Sequence, residues 1–142
     1  VYGSGEMRQM LEEKIEEYRL EDQLILKGNV DHAYRYYSDY AFLVLPSYRE
    51  GLPLVLLEAL ELGLPMVSFD IETGPNEIIE DEKNGYLIPP YDLEQMGQRM
   101  TELMEDASRR KAFSTYEGNK DKFSKNTILK QWIRLIEGLH EK

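Results

Sequence analysis

At 142 residues the chain falls within the roughly 100 to 200 residues of a single domain, so it is read as one unit spanning residues 1–142. Asp and Glu outnumber Lys and Arg by 27 to 17, and the net charge of -10 repels nucleic-acid phosphates and anionic lipid headgroups. Cysteine is absent, which excludes disulfides, thiolate metal sites and thiol nucleophiles, and no apolar run nears the roughly 18 residues of a membrane-spanning helix. A cytoplasmic protein that binds no nucleic acid is expected.

Val1-Tyr2-Gly3-Ser4-Gly5 lacks an initiating Met and reads as the end of a β-strand, so a fragment of a longer protein is expected. Met7, Met10, Leu11, Ile15 and Tyr18 then recur at helical spacing between charged residues, which predicts an amphipathic helix. Leu24-Ile25-Leu26 predicts a short buried strand, ended by Gly28-Asn29, and Asp31 is placed to cap a short helix through Ala33 and Tyr37. The continuous apolar run Ala41 to Leu45 predicts a strand covered on both faces and stopped by Pro46.

Pro53 and Gly63 bracket a predicted helix over 54–62, the usual placement of these two breakers. Met66 to Phe69 is the next strand, followed by a loop into a short helical segment at 76–80. Asn84-Gly85 predicts a turn before a small strand, Tyr86-Leu87-Ile88, and Asp92 can cap a helix carrying Leu93, Met96, Met100, Leu103 and Met104. A charged helical stretch near 108–116 and a last amphipathic helix marked by Leu129, Trp132, Ile133, Ile136 and Leu139 complete the chain. Alternating strands and helices predict an α/β fold, a Rossmann-like parallel sheet flanked by helices. Ligands of such folds collect beyond the carboxyl ends of the strands.

Among the loops at those ends, Pro46-Ser47-Tyr48-Arg49-Glu50-Gly51-Leu52-Pro53 is the most informative. It carries a carboxylate from a strand into a helix whose first N–H groups have no preceding helical carbonyl, an arrangement suited to phosphate or to sugar hydroxyls. Glu58 interrupts the apolar helix sequence Leu54-Val55-Leu56-Leu57 and Ala59-Leu60, where a charge is costly without a partner. If the intervening chain were mostly helical, Glu50 and Glu58 would stand roughly 12 Å apart. That exceeds the spacing of acid and base pairs in glycoside hydrolases and suits two grips on one long ligand, each a two-oxygen acceptor for vicinal hydroxyls.

Glu50, seven residues and Glu58, set in Glu50-Gly51-Leu52-Pro53 and Glu58-Ala59, resemble the E-x7-E signature of the family-4 retaining glycosyltransferases. Tyr2-Gly3-Ser4-Gly5, Gly28-Asn29-Val30, Gly63-Leu64-Pro65-Met66-Val67-Ser68, Gly74-Pro75-Asn76-Glu77-Ile78-Ile79 and Asn84-Gly85-Tyr86-Leu87-Ile88-Pro89 follow in the family's order. The resemblance implies the C-terminal, donor-binding half of a GT-B fold without its first strand and helix, and without the basic Arg and Lys pair that they carry. It implies Glu50 as the catalytic-site acid holding donor-sugar hydroxyls, and backbone N–H groups of Gly51, Leu52, Leu54 and Val55 serving sugar and diphosphate. Glu58 would accept from the ribose, and the Asn29-Val30 turn would contact the base, with His32 and Arg35 as weaker candidates. A nucleotide-sugar donor, UDP-linked by preference, is then the substrate. No cofactor or metal is expected, and the partner is an N-terminal acceptor-binding domain of the same protein. The parent would transfer a hexose to a cell-surface polysaccharide, lipid or glycoprotein, and could sit peripherally at the inner membrane face.

Plainer readings stand beside these. A non-catalytic nucleotide-sugar-binding or partner-docking module is the alternative to an enzyme. Glu50 could be a solvated loop acid, Glu58 could pair with a Lys or Arg or line a solvent face, Gly3 and Gly5 could form a tight turn without ligand, and His32 and His140 read as surface residues. Tyr34, Tyr36, Tyr37 and Tyr40 read as helical packing or an interdomain surface, and Trp132 reads as a core anchor of the last helix. A dinucleotide-binding fingerprint fails because Arg8 stands where its third glycine belongs.

Overall fold

The computed structural model describes residues 1–140, the side chain of His140 excepted. The expected surface position of that side chain therefore lies outside the described residues. Contacts group the chain into two compact units, Val1–Arg35 and Tyr36–Lys142. The division follows burial, since every fully buried residue of the described chain lies in the second unit.

In the first unit, helix α1 spans Arg8–Glu17, as the spacing of Met10, Leu11 and Ile15 predicts. The strand predicted at Leu24 to Leu26 does not form a ladder, and Ile25 is 54% exposed. Its backbone does pair with the first residues, Val1 N donating to Ile25 O at 2.7 Å and Lys27 N to Val1 O at 2.8 Å. Only the parallel bridge of Tyr2 with Gly28 results. Gly3, at φ +118°, donates to Gly28 O, and Arg8 N donates to Gly5 O at 3.1 Å across the turn that enters α1.

A 3-10 helix over Ala33–Asp39 leads into the second unit. Three parallel strands form its sheet in the order β1 (Leu43–Leu45), β2 (Met66–Phe69) and β3 (Gly85–Ile88). Leu43 pairs with Met66, and Met66 in turn with Gly85. Strand β2 is buried at all four residues, consistent with its central place, and its Ser68 hydroxyl is satisfied by donating to Leu45 O at 2.9 Å. The run from Ala41 was expected to be covered on both faces. As an edge of this sheet, β1 is instead shorter and only half-buried.

Helix α2 (Leu54–Leu62) joins β1 to β2 and ends at Gly63, whose φ of +66° makes the left-handed cap that glycine tolerates best. Helix α3 (Pro75–Ile78) lies between β2 and β3. Beyond the sheet come α4 (Leu93–Glu105), capped by Asp92 Oδ1 on Gln95 N at 2.9 Å, then α5 (Ala107–Ser114) and α6 (Lys125–His140). Val67 and Phe69 share one face of the sheet with Tyr86 and Ile88, and pack there with Met96 and Leu103 of α4 and Phe113 of α5. The other face is covered too, since Met66 and the α2 residues Leu56 and Ala59 are fully buried.

Helix α6 has the predicted amphipathic pattern, but its apolar stripe lies open. Trp132 is 59% exposed, and Leu129, Ile133, Ile136 and Leu139 are exposed with it. The expected core anchor is thus a surface residue, because no described element covers that side of α6. None of the described helices is long and apolar enough to cross a membrane.

Candidate functional site

Beyond the carboxyl end of β1 the chain runs through Pro46 to Pro53 without regular structure and enters α2. Pro53 is the N-cap and supplies no side-chain cap. The first helical bonds are Leu56 N and Leu57 N to Pro53 O, so the N–H groups of Leu54 and Val55 precede any helical acceptor. An uncapped helix start with its dipole behind it favours an anion or a hydroxyl oxygen. Exposed Leu52 and Leu54 flank this position, and Gly51 precedes them.

Glu58 lies one turn further along α2, on the face shared with Leu54 and Val55. It is half-buried, and Tyr37, itself only 7% exposed, donates its hydroxyl to Glu58 Oε2 at 3.1 Å. Neither Glu50 nor Glu58 takes part in any ion pair among the described residues, so the plainer reading of Glu58 as the partner of a Lys or Arg does not hold there. One oxygen is oriented by a phenol, and the carboxylate keeps acceptor capacity for hydroxyls.

Half-buried Glu50 is held through its backbone. The Thr73 hydroxyl donates to Glu50 O at 2.6 Å. Gly74, at φ +96°, lies so close to this loop that an added Cβ would stand 2.6 Å from Gly51 O and 2.8 Å from Pro53 Cδ. Asn76 Nδ2 ties the same segment down by donating to Asp70 Oδ1 at 3.1 Å and Ile71 O at 3.0 Å. The loop after β2 thereby braces the loop after β1, and both rise from the carboxyl ends of adjacent strands. Because helix begins only at Leu54, the mostly helical path assumed for the interval between the two glutamates covers only its second half.

The structure thus brings Glu50, Gly51, Leu52, Leu54, Val55 and Glu58 into one strand-loop-helix segment of the second unit. Asn29 and Val30 belong to the first unit, where Asn29 is exposed and Val30 half-buried. His32 and Arg35 are exposed there as well, His32 at φ +56° with its ring edge-on to Tyr34. Sequence reasoning gave Tyr37, Thr73 and Gly74 no part in the site. Tyr37 was legible only as one of several clustered tyrosines, and a hydroxyl or a missing Cβ acting across two loops has no periodic signature.

A second polar group lies on the flank of the sheet. The Tyr86 hydroxyl donates to Glu102 Oε1 at 2.5 Å, Arg99 pairs with Glu102 Oε2 at 2.8 Å, and the Arg99 guanidinium sits 4.6 Å from the Tyr86 ring centroid. Burial, reinforced by the hydrogen bond to Glu102, pushes the Tyr86 phenol up to about 12. The hydrogen bonds from Tyr86 and Arg99 hold the Glu102 carboxyl below its usual range.

The glycosyl transferases group 1 family matches residues 1–120. The chain is 32% identical over 138 residues to the poly(ribitol-phosphate) alpha-N-acetylglucosaminyltransferase of Staphylococcus aureus, covering 96% of this chain and 28% of that protein. It is 31% identical over 142 residues to the poly(glycerol-phosphate) alpha-glucosyltransferase of Bacillus subtilis, covering 99% and 21%. The crystal structure of the pneumococcal O-GlcNAc transferase GtfA in complex with UDP and GlcNAc superposes with a TM-score of 0.81 at 32% identity, covering 99% of this chain and 29% of that one. The chain therefore spans less than a third of the length of each of these relatives. With its parallel sheet flanked by helices, the chain belongs to the glycosyl transferases group 1 family and has the fold of the C-terminal half of a GT-B glycosyltransferase.

Proposed function

We propose that this chain is the donor-binding part of a retaining glycosyltransferase that transfers a hexose from a UDP-linked sugar to a cell-surface polysaccharide, lipid or glycoprotein. The observation that carries the reading is the pairing of an uncapped α2 start with Glu58 one turn along it, oriented by Tyr37 and otherwise free of cationic partners among the described residues. In this reading the N–H groups of Gly51, Leu52, Leu54 and Val55 serve the sugar and diphosphate, and Glu58 accepts from the ribose hydroxyls. Glu50, braced by Thr73, holds hydroxyls of the transferred sugar. Fixed dipoles aimed at a departing diphosphate would stabilise its charge without reorganisation. The solved relative carrying UDP and GlcNAc, and the relatives named for N-acetylglucosaminyl and glucosyl transfer, support a UDP-linked donor.

The test is an amide-resolved NMR titration with UDP, UDP-glucose, UDP-N-acetylglucosamine and GDP, without divalent metal. Shifts at Gly51, Leu52, Leu54, Val55 and Glu58 with the uridine ligands, and not with GDP, are expected. Shifts at Asn29 and Val30 test the base assignment separately. A folded chain whose α2 start responds to none of the nucleotides would overturn the donor-binding reading.

A further inference from the structure

Three aromatic rings follow the three strands at their carboxyl ends. Phe69 closes β2 and is fully buried. Tyr48, in the loop after β1, stacks on it with centroids 5.5 Å apart and ring planes 13° from parallel. Tyr91, in the loop after β3, stacks in turn on Tyr48 at 4.6 Å and 19°. The column thus runs from the core outward and ends in Tyr91, a residue that is 70% exposed.

Tyr91 takes φ +69°, a left-handed conformation that a bulky residue adopts only when something else fixes it. Stacking on Tyr48 fixes the ring, yet stacking alone does not require the outermost ring to stand in water. A large, rigid and flat apolar face, anchored through Tyr48 to the core, costs little further ordering when a ligand covers it. Glu50 follows Tyr48 by two residues in the same loop, so hydroxyl acceptors and the aromatic column share one support.

We infer that Tyr91 is a stacking platform for a pyranose ring, a saccharide contact set beside the donor site proposed above and resting on that reading for its place in the reaction. One face of a pyranose carries mainly C–H groups and matches an aromatic face, while the equatorial hydroxyls at its rim suit carboxylate acceptors such as the Glu50 carried by the Tyr48 loop. The pyranose comes either from the donor sugar or from a saccharide acceptor.

The experiment follows the Tyr91 ring signals and the Gly51 to Val55 amides by NMR, with methyl α-D-glucopyranoside, N-acetylglucosamine, UDP and UDP-glucose as probes. Movement of Tyr91 with the free pyranosides assigns an acceptor-side ring, and movement with UDP-glucose alone assigns the donor sugar. Either outcome supports the platform. The Tyr91→Gly variant relaxes the left-handed backbone while deleting the ring, so it is expected to stay folded and to weaken the responding probe by about tenfold or more. If UDP moves Tyr91 as much as UDP-glucose does, or if no probe moves Tyr91 while UDP shifts the α2 start, the platform is overturned and the donor reading stands. If the pyranosides move Tyr91 but UDP shifts nothing at α2, the donor reading fails and the saccharide contact stands.

Discussion

The Tyr37 hydroxyl reaches from the 3-10 helix to Glu58 Oε2 at 3.1 Å and fixes the carboxylate that faces the start of α2. Replacing Tyr37 with Phe leaves the ring packed but removes the donor. Stability is expected to fall by about 1 kcal/mol, and UDP affinity by about fivefold, as the Glu58 carboxylate loses its set orientation. Isothermal titration beside urea denaturation separates the two effects. Glu58→Ala is expected to weaken UDP more than Tyr37→Phe does, with a smaller loss of stability than of binding, and equal UDP affinity in mutant and wild type would remove Glu58 from the site.

Gly74 has no room for a side chain against Gly51 O and Pro53 Cδ, and its φ of +96° disfavours one in any case. Gly74→Ala is therefore expected to cost about 2 kcal/mol or more and to move the amides of Gly51 to Val55. Thr73→Val is the milder probe, removing only the donor to Glu50 O at a cost of about 1 kcal/mol, which Thr73→Ser restores. Thermal melting with backbone NMR checks both. An unshifted Glu50 loop in Gly74→Ala would show that the two loops are not mechanically joined.

Tyr86 and Glu102 set opposite pH limits. With its phenol raised to about 12, folded Tyr86 keeps a proton that the unfolded chain gives up near pH 10, so its stabilisation is full below about pH 10 and is lost as pH rises toward 12. Glu102, held low, contributes above its unfolded pKa and loses that contribution as pH falls through its lowered folded value. Tyr86→Phe is expected to flatten the alkaline loss and to weaken the acid one, since the phenol is the main cause of the Glu102 shift. Urea unfolding across the pH range measures both limbs.

Trp132, exposed on α6, is expected to tolerate Trp132→Gln with a stability change within about 0.5 kcal/mol. A loss of several kcal/mol in a melting experiment would place the indole in a core after all.

Much of this fold could be read from punctuation and period. Pro53 and Gly63 bracket α2 because one residue has its φ preset for a helix start and the other tolerates a left-handed end. Met66 to Phe69 was legible as a strand but its central place was not, since the both-faces burial was expected of the Ala41 to Leu45 run, which forms the edge instead. Leu24 to Leu26 misled because apolar content marks what could be buried, whereas a ladder also needs a partner strand of matching length. Trp132 misled in the same way, since amphipathic spacing names a face without saying what covers it. At the candidate site Glu58 was legible from its odd company in the α2 sequence, and Glu50 from its place in the loop that enters that helix. The groups that hold them were not, because Tyr37 and Thr73 reach the glutamates through contacts that span 21 and 23 residues.

Strand β2 is paired on both edges and buried at every residue, and each neighbour reaches it through a crossover holding one short helix. Its backbone protons can meet solvent only when β1 or β3 separates from it, and separating either strand opens the core beneath. Deuterium should therefore enter Val67, Ser68 and Phe69 last, at a rate set by opening of the whole second unit, while the Val1 to Lys27 pairing, with its single bridge, exchanges early. The last protons to leave the molecule would then time the loss of the platform from which all three site loops rise.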